Sequence, residues 1–116
     1  MIKSLKNSKE FSIVYRCGKS YANKYLIMYV IKNDRSENRL GISVSKKVGN
    51  SVVRHRITRL IRESYRLNEA MFNNGLDIVV IARADAKGKS YDEINSAILH
   101  LVKLHRILVE KKIMVE

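Results

Sequence analysis

A chain of 116 residues with 23 Lys and Arg against 11 Asp and Glu, formal net charge +12, is long enough to bury one core without disulfide or metal staples. Its single cysteine excludes an internal disulfide framework. With no signal-peptide pattern and no apolar run near about 18 residues, one soluble, cytoplasmic domain over residues 1–116 is expected.

Taken in order, Asn7-Ser8-Lys9-Glu10 has the spacing of a capping box and Gly18 offers a stop, which predicts a helix over 8–17 with Phe11 and Tyr15 on one face. Neither a neighbouring His nor a helix N-terminus is evident to activate Cys17, so it is expected to be a small core or helix residue. Tyr21 to Lys32 predicts a long strand, continuous or split. Tyr25, Ile27, Tyr29 and Ile31 point one way and Leu26, Met28 and Val30 the other, so both faces are expected to be covered. The aromatic residues Phe11, Tyr15, Tyr25 and Tyr29 fit either core packing or, beside Arg16, Lys19 and Lys24, stacking platforms for unpaired bases. Asn33 to Asn38 reads as a turn, and the alternation of Leu40, Ile42 and Val44 predicts a hairpin-like strand over 39–45.

Lys46 to Arg66 then carries seven basic residues and one acid, half of the net charge in under a fifth of the chain. Lys46-Lys47-Val48-Gly49-Asn50 reads as a loop entering a helix. From Ser51 onward Val53, Ile57, Leu60 and Ile61 share a face for burial, with His55, Arg59, Arg62 and Arg66 opposite. Arg54 and Arg56 flank the first turn, where unpaired backbone N–H groups also attract an anion. Positive charge there opposes the helix dipole unless a phosphate compensates. Membrane-binding basic helices need a free apolar face, whereas this one has a core to join, so nucleic acid is the expected partner.

After a loop at 68–75, the apolar run Leu76–Ala82 predicts a central strand, parallel to the one before the helix in a βαβ unit. Residues 83–89 form a polar loop. Ser90-Tyr91-Asp92-Glu93 is a second capping-box pattern, and Ile94, Ile98, Leu101, Leu104 or His105, and Leu108 extend a final helix, with a frayed tail from Glu110. Residues 1–66 hold 16 basic and 4 acidic side chains, and 67–116 hold seven of each, so the first half is expected to meet the partner. His100 and His105, about 140° apart on a helix, do not converge as a metal pair. No Ser/His/Asp set, HExxH or Gly-rich phosphate loop is present, so no catalytic residue is expected.

The segment Gly41–Arg66, GISVSKKVGNSVVRHRITRLIRESYR, resembles the signature of the bacterial ribonuclease P protein component: a strand running into K-K-hydrophobic-G-N, then a helix opening R-N-R and continuing as a basic R-L-hydrophobic-R series. The likeness extends to Phe11, Val14-Tyr15, Gly18, Ala22-Asn23 and Ile81-Ala82-Arg83; His55 stands where the family has Asn and loses the amide's paired geometry. The resemblance implies an accessory subunit that binds a catalytic RNA and the 5′ leader of precursor tRNA, with Mg²⁺ held mainly by RNA and no membrane or obligate protein partner. It implies RNA contacts at Lys46, Lys47, Asn50, Arg54, His55, Arg56, Arg59, Arg62 and Arg66, and a leader cleft at Phe11, Tyr15 and Tyr29. The implied fold is an α+β sandwich with a small mixed sheet, in order α-β-β-α-β-α, of the ribosomal protein S5 domain 2-like type. Its βαβ crossover would be left-handed, against the general preference. Two other readings predict different behaviour: a non-catalytic ribosomal or ribosome-assembly RNA-binding protein, and a protein-only nuclease active without RNA.

Overall fold

The computed structural model describes residues 2–109. Helix α1, Ser8–Cys17, starts where the Asn7 side chain accepts the Glu10 N–H at 3.0 Å. The Glu10 carboxylate reaches back to the Lys6 N–H at 2.6 Å rather than to that of Asn7, so the expected capping box closes in one direction only. Gly18 ends the helix with its N–H on Val14 O at 2.8 Å, in extended rather than left-handed backbone.

The run to Lys32 is two strands, β1 (Lys19–Ala22) and β2 (Leu26–Lys32), paired antiparallel from Lys19↔Val30 to Ala22↔Ile27. Asn23 breaks it: its Oδ1 accepts the N–H groups of Tyr25 and Leu26 at 3.2 and 3.0 Å, an Asx turn that apolar alternation does not reveal. Strand β3 spans Arg39–Ser43, shorter than expected, and it is not a hairpin partner of β2. The sheet order is β1-β2-β4-β3, with β4 (Leu76–Ala82) antiparallel to β2 and parallel to β3. The parallel β3-α2-β4 unit therefore forms as expected, while the most apolar strand wedges between β2 and β3 because a central strand is covered on both faces.

Helices α2 (Ser51–Asn68) and α3 (Tyr91–His105) cover one face, where Leu26, Met28, Leu40, Ile78 and Val80 meet Ile57, Ile61, Tyr65, Ile94, Ile98 and Leu101. The other face is covered by α1 and the segment that leads into it. Leu5, Val14 and Val79 are buried there, but Tyr29, Ile31 and Ile81 remain half-buried, so the expectation of two covered faces holds fully for one face only. An ion cluster ties α1 to the sheet. Arg39 holds Asp77 with two bonds of 2.9 and 2.7 Å and reaches Glu10 at 2.7 Å, while Asn33 donates to Asp77 at 2.8 Å.

The capping box of α3 closes in both directions between Ser90 and Glu93. Arg106 ends this helix at φ 56°, a left-handed conformation that costs a non-glycine residue about 1–2 kcal/mol. The chain then runs back along Met71–Asn73, with Asn73 N–H on Ile107 O at 2.6 Å and Val109 N–H on Met71 O at 2.8 Å. Leu108 thus lies outside the helix into which its spacing placed it, and the tail from Glu110 lies outside the described residues. Among the described residues no helix is long and apolar enough to cross a membrane.

Candidate nucleic-acid interface

The basic face is built by the β3–α2 junction. Val48 is buried and its N–H closes on Ser45 O at 3.1 Å, which anchors a turn from which Lys46 and Lys47 stand exposed. Asn50 is the N-cap of α2: its side-chain oxygen accepts the Val53 N–H at 3.0 Å, so that oxygen is committed to the helix. The buried stripe of α2 is Ile57, Ile61, Ser64 and Tyr65, with Val53 and Leu60 half-buried, so it sits somewhat further round than the spacing of apolar residues predicts. Ser64 is admitted because it donates to Asn95 at 2.7 Å, and Tyr65 because its hydroxyl reaches Glu69 at 2.6 Å. Burial, then Glu69, pushes the Tyr65 hydroxyl far above the ordinary phenol range.

His55, Arg59, Arg62 and Arg66 are exposed on the opposite side, as the periodicity predicts. The first turn is less uniform. Arg56 donates to Lys89 O at 3.0 Å, which anchors its guanidinium against the loop before α3. Arg54 is half-buried, and its Nε is enclosed without a hydrogen-bond partner. No acid stands in this turn, so the positive helix end is uncompensated. Arg56, Arg59, Arg62 and Arg66, with Leu60 and Tyr91, line a concavity of about 620 Å³; its acid, Glu63, is paired with Arg66. That pairing holds the Glu63 carboxyl below its usual range.

The second surface lies between α1 and the sheet. The Phe11 and Tyr15 rings are 6.3 Å apart, and Tyr15 meets Tyr29 edge-on at 5.1 Å, so the three residues singled out from sequence form one aromatic row. Tyr15 is 38% exposed. Burial raises its hydroxyl pKa, opposed by a bond with Ser43, so it stays neutral near pH 7. Gly41 lets Phe11 lie directly on β3: a Cβ there would stand 2.6 Å from Phe11 Cζ.

Sequence reasoning passed over the links that hold this end of the sheet. Arg83 donates to Asn23 O at 2.9 Å, and the Asn23 amide donates to Ala97 O at 3.0 Å and contacts His100 Nδ1 at 3.2 Å. These residues are up to 77 positions apart, and no local spacing connects them. His105 instead donates to Met28 O at 2.8 Å, so the two histidines serve different contacts. Among the described residues no three His, Cys, Asp or Glu side chains gather as a metal site. The surface sets the basic side chains of α2 beside an aromatic row under α1.

Comparison with known proteins agrees over nearly the whole chain. The family profile described as Ribonuclease P matches residues 2–106. The ribonuclease P protein component of Lachnoclostridium phytofermentans is 70% identical over 108 residues, covering 93% of each chain. That of Alkaliphilus metalliredigens is 51% identical over 104 residues, covering 90% of this chain and 94% of its own. The solved RNase P protein of Staphylococcus aureus superposes with a TM-score of 0.86 at 34% identity, covering 94% of this chain and all of that one. A basic helix on a β3-α2-β4 unit, an aromatic cleft under α1 and this agreement in sequence and fold together place the chain in the ribonuclease P protein component family, the protein subunit of a ribonucleoprotein endoribonuclease.

Proposed function

We propose that the chain acts as a single RNA-binding domain that seats the catalytic RNA of ribonuclease P against α2 and the 5′ leader of precursor tRNA in the cleft under α1. In this reading Lys46, Lys47, Arg54, Arg59 and Arg62 meet phosphates, and Asn50, His55, Arg56 and Arg66 border them. Phe11, Tyr15 and Tyr29 stack on leader bases, a mode that tolerates varied sequence. The observation that carries the reading is continuity. Gly41 and Ser43 of β3 touch Phe11 and Tyr15 in the cleft, and the turn that follows the same strand carries Lys46 and Lys47 and leads into α2 at Ser51. A leader in the cleft and a catalytic RNA on α2 would therefore meet at this strand end.

Mg²⁺ held mainly by the RNA would supply the chemistry for hydrolysis of the leader phosphodiester, and no residue of this chain is assigned to hold it. The chain's own part is to bring two polyanions together. Its side chains neutralise phosphates, which lowers the Mg²⁺ needed to hold precursor tRNA on the catalytic RNA, and the cleft adds affinity for the leader that mature tRNA lacks. The cytoplasm, where tRNA is processed, is the proposed location.

Adding the chain to its cognate ribonuclease P RNA at low Mg²⁺ should raise cleavage of precursor tRNA. Binding without enhancement would sink the reading and favour a ribosomal or assembly partner. Phe11→Ala and Tyr15→Ala should weaken precursor tRNA by roughly 1–3 kcal/mol per stacked base while leaving mature tRNA unchanged.

A further inference from the structure

A second basic concavity lies at the far end of the sheet from the start of α2. The register sets the two poles: Ser43 pairs with Ile81 at one end, and Arg39 with Asp77 and Lys32 with Leu76 at the other. Between the start of β1, the end of β2, the turn after β2 and the end of α3 is a hollow of about 560 Å³ lined by Lys19, Lys32, Arg35, Arg106, His105 and Asp34 among others. Among the described residues Asp34 is the one acid that lines it. Among the described residues none of the four Lys and Arg forms an ion pair; Lys19 lies 5.0 Å from the Tyr21 ring, and His105 is engaged with Met28 O.

Arg106 taken alone would be an ordinary cation complementing the C-terminus of α3. The other three come from different elements, β1, β2 and the turn after β2. The turn that carries Arg35 is pinned through Asn33, whose N–H donates to Gly75 O at 2.9 Å, whose Oδ1 accepts the Arg35 N–H at 2.8 Å, and whose amide donates to Glu37 O and Asp77. Gly75, at φ +79°, comes so close that a Cβ would lie 2.7 Å from Arg35 O. Arg106 occupies a left-handed position that Gly or Asn would fill without strain. Like charges gathered in one hollow repel one another in the free protein, and a polyanion relieves that repulsion.

We propose that this hollow is a second phosphate-binding site for RNA, engaged together with α2 when the chain sits in its ribonucleoprotein. Its ligand is the backbone of an RNA segment at the opposite pole of the sheet from the one on α2. The inference rests on the reading that the partner is RNA.

The test uses the chain reconstituted with ribonuclease P RNA and precursor tRNA, reading the slope of log affinity against log salt. Each phosphate contact removed should shallow the slope by about 0.7–0.9, so the double variant Lys32→Gln with Arg35→Gln should shallow it by about 1.4–1.8. Arg106→Gly should shallow it by about one contact while the free chain melts at the same or a higher temperature, because glycine relieves the backbone. A purely structural Arg106 would not give that combination. Unchanged slopes for both variants overturn the proposal. Arg59→Gln, measured in the same series, reports separately on α2: a shallower slope there beside unchanged slopes at the distal hollow leaves the RNA reading standing and removes only the second site.

Discussion

Replacing Gly41 by alanine tests whether the cleft depends on an aromatic ring lying flush against β3. The new Cβ would meet Phe11 Cζ at 2.6 Å, Cε2 at 2.7 Å and Leu5 Cδ1 at 3.0 Å. Carbon atoms at rest stand about 3.5–4.0 Å apart, so the ring must retreat by roughly 1 Å while Leu5 blocks the other direction. Overpacking of this kind costs about 1–3 kcal/mol, and at roughly 4 °C per kcal/mol for a domain of this size the melting temperature should fall by about 4–12 °C. The displaced ring also leaves the row it forms with Tyr15 and Tyr29, so precursor tRNA should lose a large part of one stacking contact, worth roughly 1–3 kcal/mol. Thermal melts and paired titrations of the holoenzyme with precursor and mature tRNA read the two effects separately. A melting temperature within a degree of the parent would show that Phe11 is not wedged against β3. Equal losses for the two RNAs would show that the ring supports the fold and does not touch the leader.

Other outcomes follow from the ionisable groups. Asp77→Asn strips Arg39 of one of its two carboxylates and should cost about 2–4 kcal/mol, somewhat below a fully buried pair because Glu10 remains and solvent still reaches the cluster. Burial alone would raise the Asp77 carboxyl, but the bonds from Arg39 and Asn33 overcome it and hold the group below its usual range. Its stabilisation is therefore complete above the unfolded value near about 4 and is lost as pH falls through the lower folded value; Asp77→Asn should flatten that part of the acid melt, and an unaltered profile would refute the assignment. His105 is lowered by burial, against the opposing bond to Met28 O. The fold thus disfavours its charged form, and stability present above about pH 6.5 should decline as pH drops toward the depressed folded value. His105→Gln keeps a donor for Met28 O without titrating, so a persisting decline would point elsewhere. Sulfate should raise the melting temperature more than chloride at equal ionic strength, given the net charge of +12; equal effects would argue against ordered phosphate sites.

Local signals carried well where one segment decides its own structure. The strand Leu76–Ala82, the first helix and the Ser90 cap stand where pattern and capping chemistry put them, because propensity, turn residues and burial agree there. The basic face of α2 was legible for the same reason. Its buried face was read less well, since Ser64 and Tyr65 enter the core only through Asn95 and Glu69, partners on other turns and another helix. Asn23 carried the break between β1 and β2 in its side chain while the apolar alternation ran on through it. The insertion of β4 between β2 and β3, the Arg39–Asp77–Glu10 cluster and the distal hollow were hidden for a common reason: each joins residues tens of positions apart, which no window along the chain samples.

The strand order has a consequence for how the protein comes into being. Strand β4 holds β2 on one side and β3 on the other, so neither half of the sheet has a partner until residues 76–82 are made and threaded into the centre. Up to then the chain holds one short β1–β2 ribbon and an amphipathic basic helix with nothing to cover its apolar face. Closing the sheet requires pairing across a gap of 44 to 56 positions, from Lys32↔Leu76 to Leu26↔Ala82, which makes assembly slow relative to local hairpins. Eleven of the twelve net positive charges precede β4, so the nascent chain is strongly self-repelling while it waits for the strand that completes it. An RNA that grips α2 early would neutralise that repulsion and shorten the wait, making the polyanion a participant in folding before it is a partner in catalysis.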